Sequence, residues 1–165
     1  MIAVSNTTPL RYLIAIEQEQ LLGQLFKSVF VPTAVHEELT EARAPENVRL
    51  RVLSLPSWYE VRAVQESQEN VFPVGLHRGE RDAILLAELL RPDVILIDEQ
   101  VGRTIASRRN LPVSGTLGIL ERADLMGFLS DFPKVLKQLK TCGFYIAASL
   151  EHQLLQRHRN RHKSK

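Results

Sequence analysis
The sequence predicts an α/β protein: a three-layer α/β/α sandwich with a central, mainly parallel sheet. Three observations predict it. Short apolar runs alternate along the chain with segments of helical periodicity, and strands separated by helices return as right-handed crossovers into a parallel sheet. The run Val94-Ile95-Leu96-Ile97 is apolar without alternation, as in a strand covered on both faces. At 165 residues, 44% hydrophobic and 24% charged, the chain suits one domain with a full core.

Each element follows from local signals. Ile2-Ala3-Val4 is a short apolar strand, stopped by Ser5-Asn6-Thr7-Thr8-Pro9. Asn and Thr cap helices and proline suits a first turn, so a helix is expected from near Thr8, burying Leu10, Leu13 and Ile14. A second helix is expected over Glu19 to Phe26, followed by a strand at Val29-Phe30-Val31. Pro32-Thr33 opens a helix through Ala34, Val35 and Leu39 that carries Glu37, Glu38 and Glu41. A loop over 43–47 and a helical segment with Val48, Val52 and Leu55 come next, ended by Pro56. Trp58-Tyr59-Glu60-Val61 alternates as a strand or edge segment. The polar stretch 65–75, with Pro73 and Gly75, reads as a mobile loop.

The central unit runs from Leu76 to Glu99. After the turn-like Gly79, a helix carries Glu80 and Asp82 at its start and Ala83, Leu86, Ala87 and Leu90 on its buried face. Arg91-Pro92 ends it, because proline disfavours helix in the residue before it. The apolar strand follows and stops at Asp98-Glu99. A helix from about Gln100 to Arg108, a short strand at Leu111-Pro112-Val113, and a tight turn at Ser114-Gly115-Thr116-Leu117-Gly118 come next. The turn leads into a helix with Ile119, Leu120 and Ala123 that Gly127 ends. Residues 131–141 form an amphipathic helix, and Tyr145 leads into a last helix over roughly 148–158.

Composition bounds the function. No stretch approaches the ~18 uninterrupted apolar residues of a membrane span, and the N-terminus has no basic region ahead of an apolar block, so no secretory signal is expected. A single cysteine, Cys142, excludes an internal disulfide and a cysteine-rich zinc site, and fits a reducing cytoplasm. Residues 151–165 hold five Lys/Arg and one Glu, a net +4 of the chain's +2, which leaves residues 1–150 mildly acidic. Residues 1–150 are read as the domain and 151–165 as a basic helix end and tail. Such a tail is either solvated and frayed or attracts nucleic-acid phosphates.

The candidate chemistry lies at strand ends, where open α/β sheets bind ligands. Asn6 follows the first strand, Glu38 lies on the helix after the second, Glu80 and Asp82 begin the central helix, and Asp98 ends the central strand. Taken singly, each acid has an ordinary reading as a solvated residue, a partner of the helix dipole, or a cap. Taken together at one edge, they would repel unless a cation neutralised them. Oxygen ligands suit Mg²⁺ or Mn²⁺, and such ions hydrolyse phosphodiesters. Glu80 and Asp82 stand about 160° apart on an ideal helix, so one is expected to face the site and the other to flank it. Arg103, Arg108 and Arg109 are candidates for RNA phosphates, and Gly115-Thr116-Leu117-Gly118 for a phosphate at a helix N-terminus. No P-loop lysine and no nucleophile elbow is present.

Read in order, Val4-Ser5-Asn6-Thr7-Thr8-Pro9-Leu10, Val31-Pro32-Thr33-Ala34-Val35-His36-Glu37-Glu38-Leu39, Arg78-Gly79-Glu80-Arg81-Asp82-Ala83-Ile84, Leu96-Ile97-Asp98 and Gly115-Thr116-Leu117-Gly118-Ile119-Leu120 resemble the PIN-domain family. The likeness is to a prokaryotic branch related to VapC-type toxins, over about residues 1–150. The resemblance implies the PIN fold and a Mg²⁺- or Mn²⁺-dependent ribonuclease. Its four acids fall at position 6, Glu38, Asp82 and Asp98, with Glu80 matching a further branch motif. On this reading Asp82, Asp98 and Glu38 hold the ion, with Glu80 in support. The resemblance also implies RNA as substrate, a small antitoxin protein as partner, and a homodimer. Asn6 departs from the pattern, which has aspartate. Its amide oxygen can ligate a cation but brings no charge, so weakened catalysis, or a PIN-like module that only binds RNA or protein, is the alternative.

Overall fold
The computed structural model describes residues 1–65 and 71–163. Five strands form an all-parallel sheet in the order β3-β2-β1-β4-β5. They are β1 (Ile2–Ser5), β2 (Ser28–Pro32), β3 (Tyr59–Arg62), β4 (Val94–Leu96) and β5 (Val113–Ser114). Helices α1 (Thr7–Ala15) and α2 (Gln20–Leu25) join β1 to β2. Helices α3 (Thr33–Thr40) and α4 (Glu46–Val52) join β2 to β3. α5 (Arg78–Leu90) leads into β4, α6 (Gln100–Arg108) joins β4 to β5, and α7 (Thr116–Leu125), α8 (Phe132–Thr141) and α9 (Ala148–Lys163) complete the chain.

Strand alternation sorts the core into two layers. Ala3, Val29, Val31 and Leu96 point to one face, against Leu10 and Leu13 of α1, Val35 of α3, Leu120 of α7, Leu136 of α8 and Leu154 of α9. Val4, Ile95 and Ile97 point to the other, against Ala83, Ile84, Leu86 and Ala87 of α5 and Ile105 and Ala106 of α6. With helices on both faces, the central strands have no solvated side, which explains the unbroken apolar run at β4.

The three-layer α/β/α sandwich is as the sequence predicts. The differences are local. α4 begins at Glu46, inside the expected loop over 43–47, with Pro45 at its N-cap. The fifth strand is Val113–Ser114 and not Leu111–Val113. Leu111 still closes the preceding helix through its N–H on the Ala106 carbonyl, and Pro112 contributes only its carbonyl, to the Ile95 N–H at 2.8 Å. Arg91 takes the left-handed conformation (φ 49°) that ends α5. The expected strand or edge segment over Trp58–Val61 is the edge strand β3, one residue further on at Tyr59–Arg62. Of the expected mobile loop over 65–75, residues 66–70 lie outside the described residues. α9 runs as one helix to Lys163, where the sequence left a frayed tail open.

The chain lays β1, β2 and β3 outward on one side of the sheet, then crosses to lay β4 and β5 on the other. The strand order therefore reverses between β1 and β4, and a crevice opens above their carboxyl ends.

Candidate active site
The crevice is built from the chain segments that leave β1 and β4. The Asn6 N–H donates to the Leu96 carbonyl (3.0 Å), which ties the two strand ends together. Asn6 is the N-cap of α1, yet its buried side chain turns into the crevice and its Nδ2 donates to Glu99 Oε2 at 3.2 Å. The next two residues present hydroxyls to two carboxylates. Thr7 Oγ1 donates to Glu38 Oε2 at 2.5 Å, and Thr8 Oγ1 donates to Glu99 Oε1. Glu38 comes from α3, and Glu99 is the N-cap residue of α6. Together with Glu80, Arg11 and His77, these residues line a pocket of about 260 Å³.

Glu80 is the least satisfied member. As the third residue of α5, it reaches back with Oε2 to the His77 N–H at 3.3 Å, the return half of a capping box. Its Oε1 is buried with no hydrogen-bond partner among the described residues. Burial pushes its pKa up from the ordinary carboxylate value. The His77 N–H works against that rise, and the negative charges of Glu99 and Glu38 add to it. The wall is made to admit these carboxylates. A Cβ on Gly102 of α6 would stand 2.8 Å from Glu80 Oε1, and one on Gly79 would stand 2.8 Å from Glu38 Oε1. Three carboxylates thus face one small polar space, with an orphaned buried oxygen among them. That donor set fits a hard divalent cation, which would supply the missing partner.

The predicted residues divide. Asn6, Glu38 and Glu80 line the pocket; Asp82 and Asp98 do not. Asp82 is buried beside two arginines, with Arg81 Nε on Oδ1 at 3.2 Å and Arg78 Nε 3.8 Å from Oδ2. The helix geometry that separates positions 80 and 82 accounts for this. Asp98 turns toward α7, where Oδ1 accepts the Thr116 N–H (2.8 Å) and Oδ2 the Thr116 hydroxyl (2.6 Å). The N-cap of α7 is Gly115, which has no side chain to cap with, so Asp98 caps that helix from a neighbouring element. Burial raises the Asp98 pKa, and the two Thr116 bonds only partly offset it.

The residues proposed for phosphates are also placed. Thr116 is fully buried and both its donors are engaged by Asp98, so a protein carboxylate occupies the helix N-terminus suggested for phosphate. Arg103 donates to the Ile97 carbonyl at 2.8 Å. Arg109 binds both Glu88 oxygens at 3.0 Å and stacks over Phe72. Arg108 is exposed on the outer end of α6. Glu99 is the pocket acid that the sequence alone does not single out, and Thr7, Thr8, Arg11 and His77 join the lining with it. The available signal for Glu99 was its place beside Asp98 at the strand end, but two adjacent acids at a turn do not reveal which one faces inward.

The family model described as a PIN domain matches residues 2–160. Among solved structures, the chain is similar to a PilT N-terminus domain protein from the hyperthermophilic archaeon Sulfolobus solfataricus. That likeness has a TM-score of 0.55 at 17% identity and covers 74% of this chain and 93% of the other. No curated protein sequence matches at a significant level. The matched length, the parallel sheet and the acidic crevice at its switch point agree: the chain belongs to the PIN-domain family, whose members are typically metal-dependent nucleases.

Proposed function
We propose that the chain is a Mg²⁺- or Mn²⁺-dependent endoribonuclease, the toxin component of a toxin–antitoxin pair. The observation that carries the nuclease reading is Glu80 Oε1, a buried oxygen without a partner among the described residues, beside the carboxylates of Glu38 and Glu99. Glu38, Glu80 and Glu99 would hold the ion, with the Asn6 amide oxygen as a neutral ligand. When bound, the cation activates a water and stabilises charge on a phosphodiester. The chain's own residues prepare that site. Thr7 and Thr8 fix the carboxylates of Glu38 and Glu99. Arg11, on the rim of the pocket, offers a guanidinium to a phosphate. Asp98 acts as a positioning residue, because it anchors the turn from which Glu99 projects, and Asp82 flanks the site behind Arg78 and Arg81. The antitoxin partner and the homodimer rest on the resemblance and form the finer part of the proposal.

The test is cleavage of single-stranded RNA in Mn²⁺. The expected result is cleavage that EDTA stops and that Glu80→Gln and Glu99→Gln each lower by about 100-fold or more. Cleavage that survives both substitutions, or EDTA, would overturn the proposal. One observation favours a second reading, a PIN-like module that binds without cutting: position 6 lacks a charge and its amide is spent on Glu99. Asn6→Asp discriminates. Gained cleavage supports the enzyme; RNA binding retained with no cleavage in either form supports the module.

A further inference from the structure
On the face of the molecule where α7 meets α9, a second group of ligating side chains comes together, apart from the acidic pocket. Asp124, near the end of α7, is buried, with a side chain only 1% exposed. A carboxylate there is doubly disfavoured, by burial and by the negative end of the helix dipole. α9 answers it with His158 and His162, one helical turn apart, and with Arg161 between them. His158 Nδ1 lies 2.9 Å from Asp124 Oδ1, and His162 Nε2 lies 3.6 Å from the same oxygen. One ligand atom from each of these three residues lies within 4.8 Å of the other two.

We propose that Asp124, His158 and His162 form a binding site for a borderline divalent cation of the Zn²⁺ class, which clamps α9 onto α7. Three features support it. Ligands around a tetrahedral ion with bonds of about 2.0–2.2 Å sit about 3.3–3.6 Å apart. The two observed separations, 2.9 and 3.6 Å, straddle that range, so shifts of a few tenths of an ångström admit the ion. The supporting contacts are those a metal site uses to orient its ligands. Arg161 Nε and Nη2 donate to Oδ2 of Asp124, while His158 Nδ1 lies 2.9 Å from Oδ1 and 3.0 Å from Oδ2 and His162 approaches from the Oδ1 side. Phe132 stacks on the His158 ring at 5.4 Å. Finally, the site has an entrance, because the His162 side chain is 50% exposed and leaves room for a water as the fourth ligand. On binding, the ion takes the place of the hydrogen between His158 Nδ1 and Asp124, and the ligating imidazole is the neutral one that carries its proton on Nε2. The nitrogen-rich donor set separates this site from the oxygen-only pocket, and the inference stands independently of the nuclease reading.

The experiment titrates Zn²⁺ into the intact chain by calorimetry and Co²⁺ by visible absorption. It compares wild type with His162→Ala, His158→Ala and, as a control in the acidic pocket, Glu99→Gln. The expected result is one Zn²⁺ per chain, a Co²⁺ spectrum of low-coordinate nitrogen ligation, and a Zn²⁺-dependent rise in Tm. His162→Ala should weaken Zn²⁺ by about tenfold or more and remove the rise, while Glu99→Gln leaves both intact. His162 is half exposed, so its variant folds even if His158→Ala does not. Zn²⁺ affinity unchanged in His162→Ala, no Zn²⁺ uptake, or uptake lost only in Glu99→Gln would each overturn the site.

Discussion

Position 6 carries an amide where the family pattern carries a carboxylate, and the bond it makes shows what that exchange does. Asn6 Nδ2 donates to Glu99 Oε2, which a carboxylate cannot do. In the metal-free protein the amide therefore offsets part of the repulsion among Glu38, Glu80 and Glu99. Asn6→Asp removes that donor and adds a fourth negative charge. The expected outcome is a lower Tm in EDTA, because like charges repel, together with Mn²⁺ binding about tenfold tighter, a gain of roughly 1.4 kcal/mol from the added negative ligand. Thermal melts and Mn²⁺ titration check both; tighter binding without the loss of Tm would show that Asn6 was not relieving the pocket.

Among the elements, α7 depends on a cap supplied by its neighbour. Gly115 contributes no side chain, and Asp98 takes both the Thr116 N–H and the Thr116 hydroxyl. Asp98→Ala is expected to cost about 1–2 kcal/mol of stability, the usual loss for a missing N-cap, read as a shift in the urea midpoint. Asp98→Asn keeps an acceptor and should cost less. The other end of α7 is held through Asp124. Burial alone would raise its pKa, but hydrogen bonds from Arg161 and His158 outweigh that and hold it below the ordinary carboxylate value. This contribution to stability is present above the unfolded pKa and is lost as pH falls through the lower folded one. The contact also explains why α9 continues to Lys163. Its basic residues meet Glu121 and Asp124 of α7, with Arg157 and Arg161 each pairing with Glu121.

For the whole molecule, the acidic crevice is a local cost carried by a sandwich with a large core on each face. Glu80 binds its proton more readily folded than unfolded, since its pKa is raised. The sign follows: in EDTA, this residue's contribution to stability grows as pH falls from 7 toward and through its folded pKa. A bound cation should remove that dependence. At a Mn²⁺ concentration 100 times its Kd, the native state gains about 2.7 kcal/mol, or roughly 5–11 °C in Tm for a chain of this size. Glu80→Gln should raise the Tm in EDTA and blunt the response to Mn²⁺. Differential scanning calorimetry in Mn²⁺ and in EDTA, at pH 5 and 7, separates these outcomes.

The layered architecture, the order of its elements and the rim on which polar groups gather were all legible in the sequence. These follow from local causes: apolar period, caps, the proline after Arg91 and the unbroken run at Val94–Ile97. The sequence placed Asn6, Glu38 and Glu80 in segments that the crevice then joined. Which neighbour of a pair faces inward was settled by contacts between distant segments. Glu80 and Asp82 share one turn of helix and Asp98 and Glu99 share one bend of chain, so their roles depend on what packs beside them. Gly102 leaves room for Glu80, Arg78 and Arg81 draw Asp82 away, and the uncapped end of α7 takes Asp98, leaving Glu99 to the pocket. The meeting of Asp124 with His158 and His162, 34 residues and more apart in the chain, has the same origin. Local sequence sets periodicity and chain direction; burial and partnership of a charge are set by distant residues brought into contact.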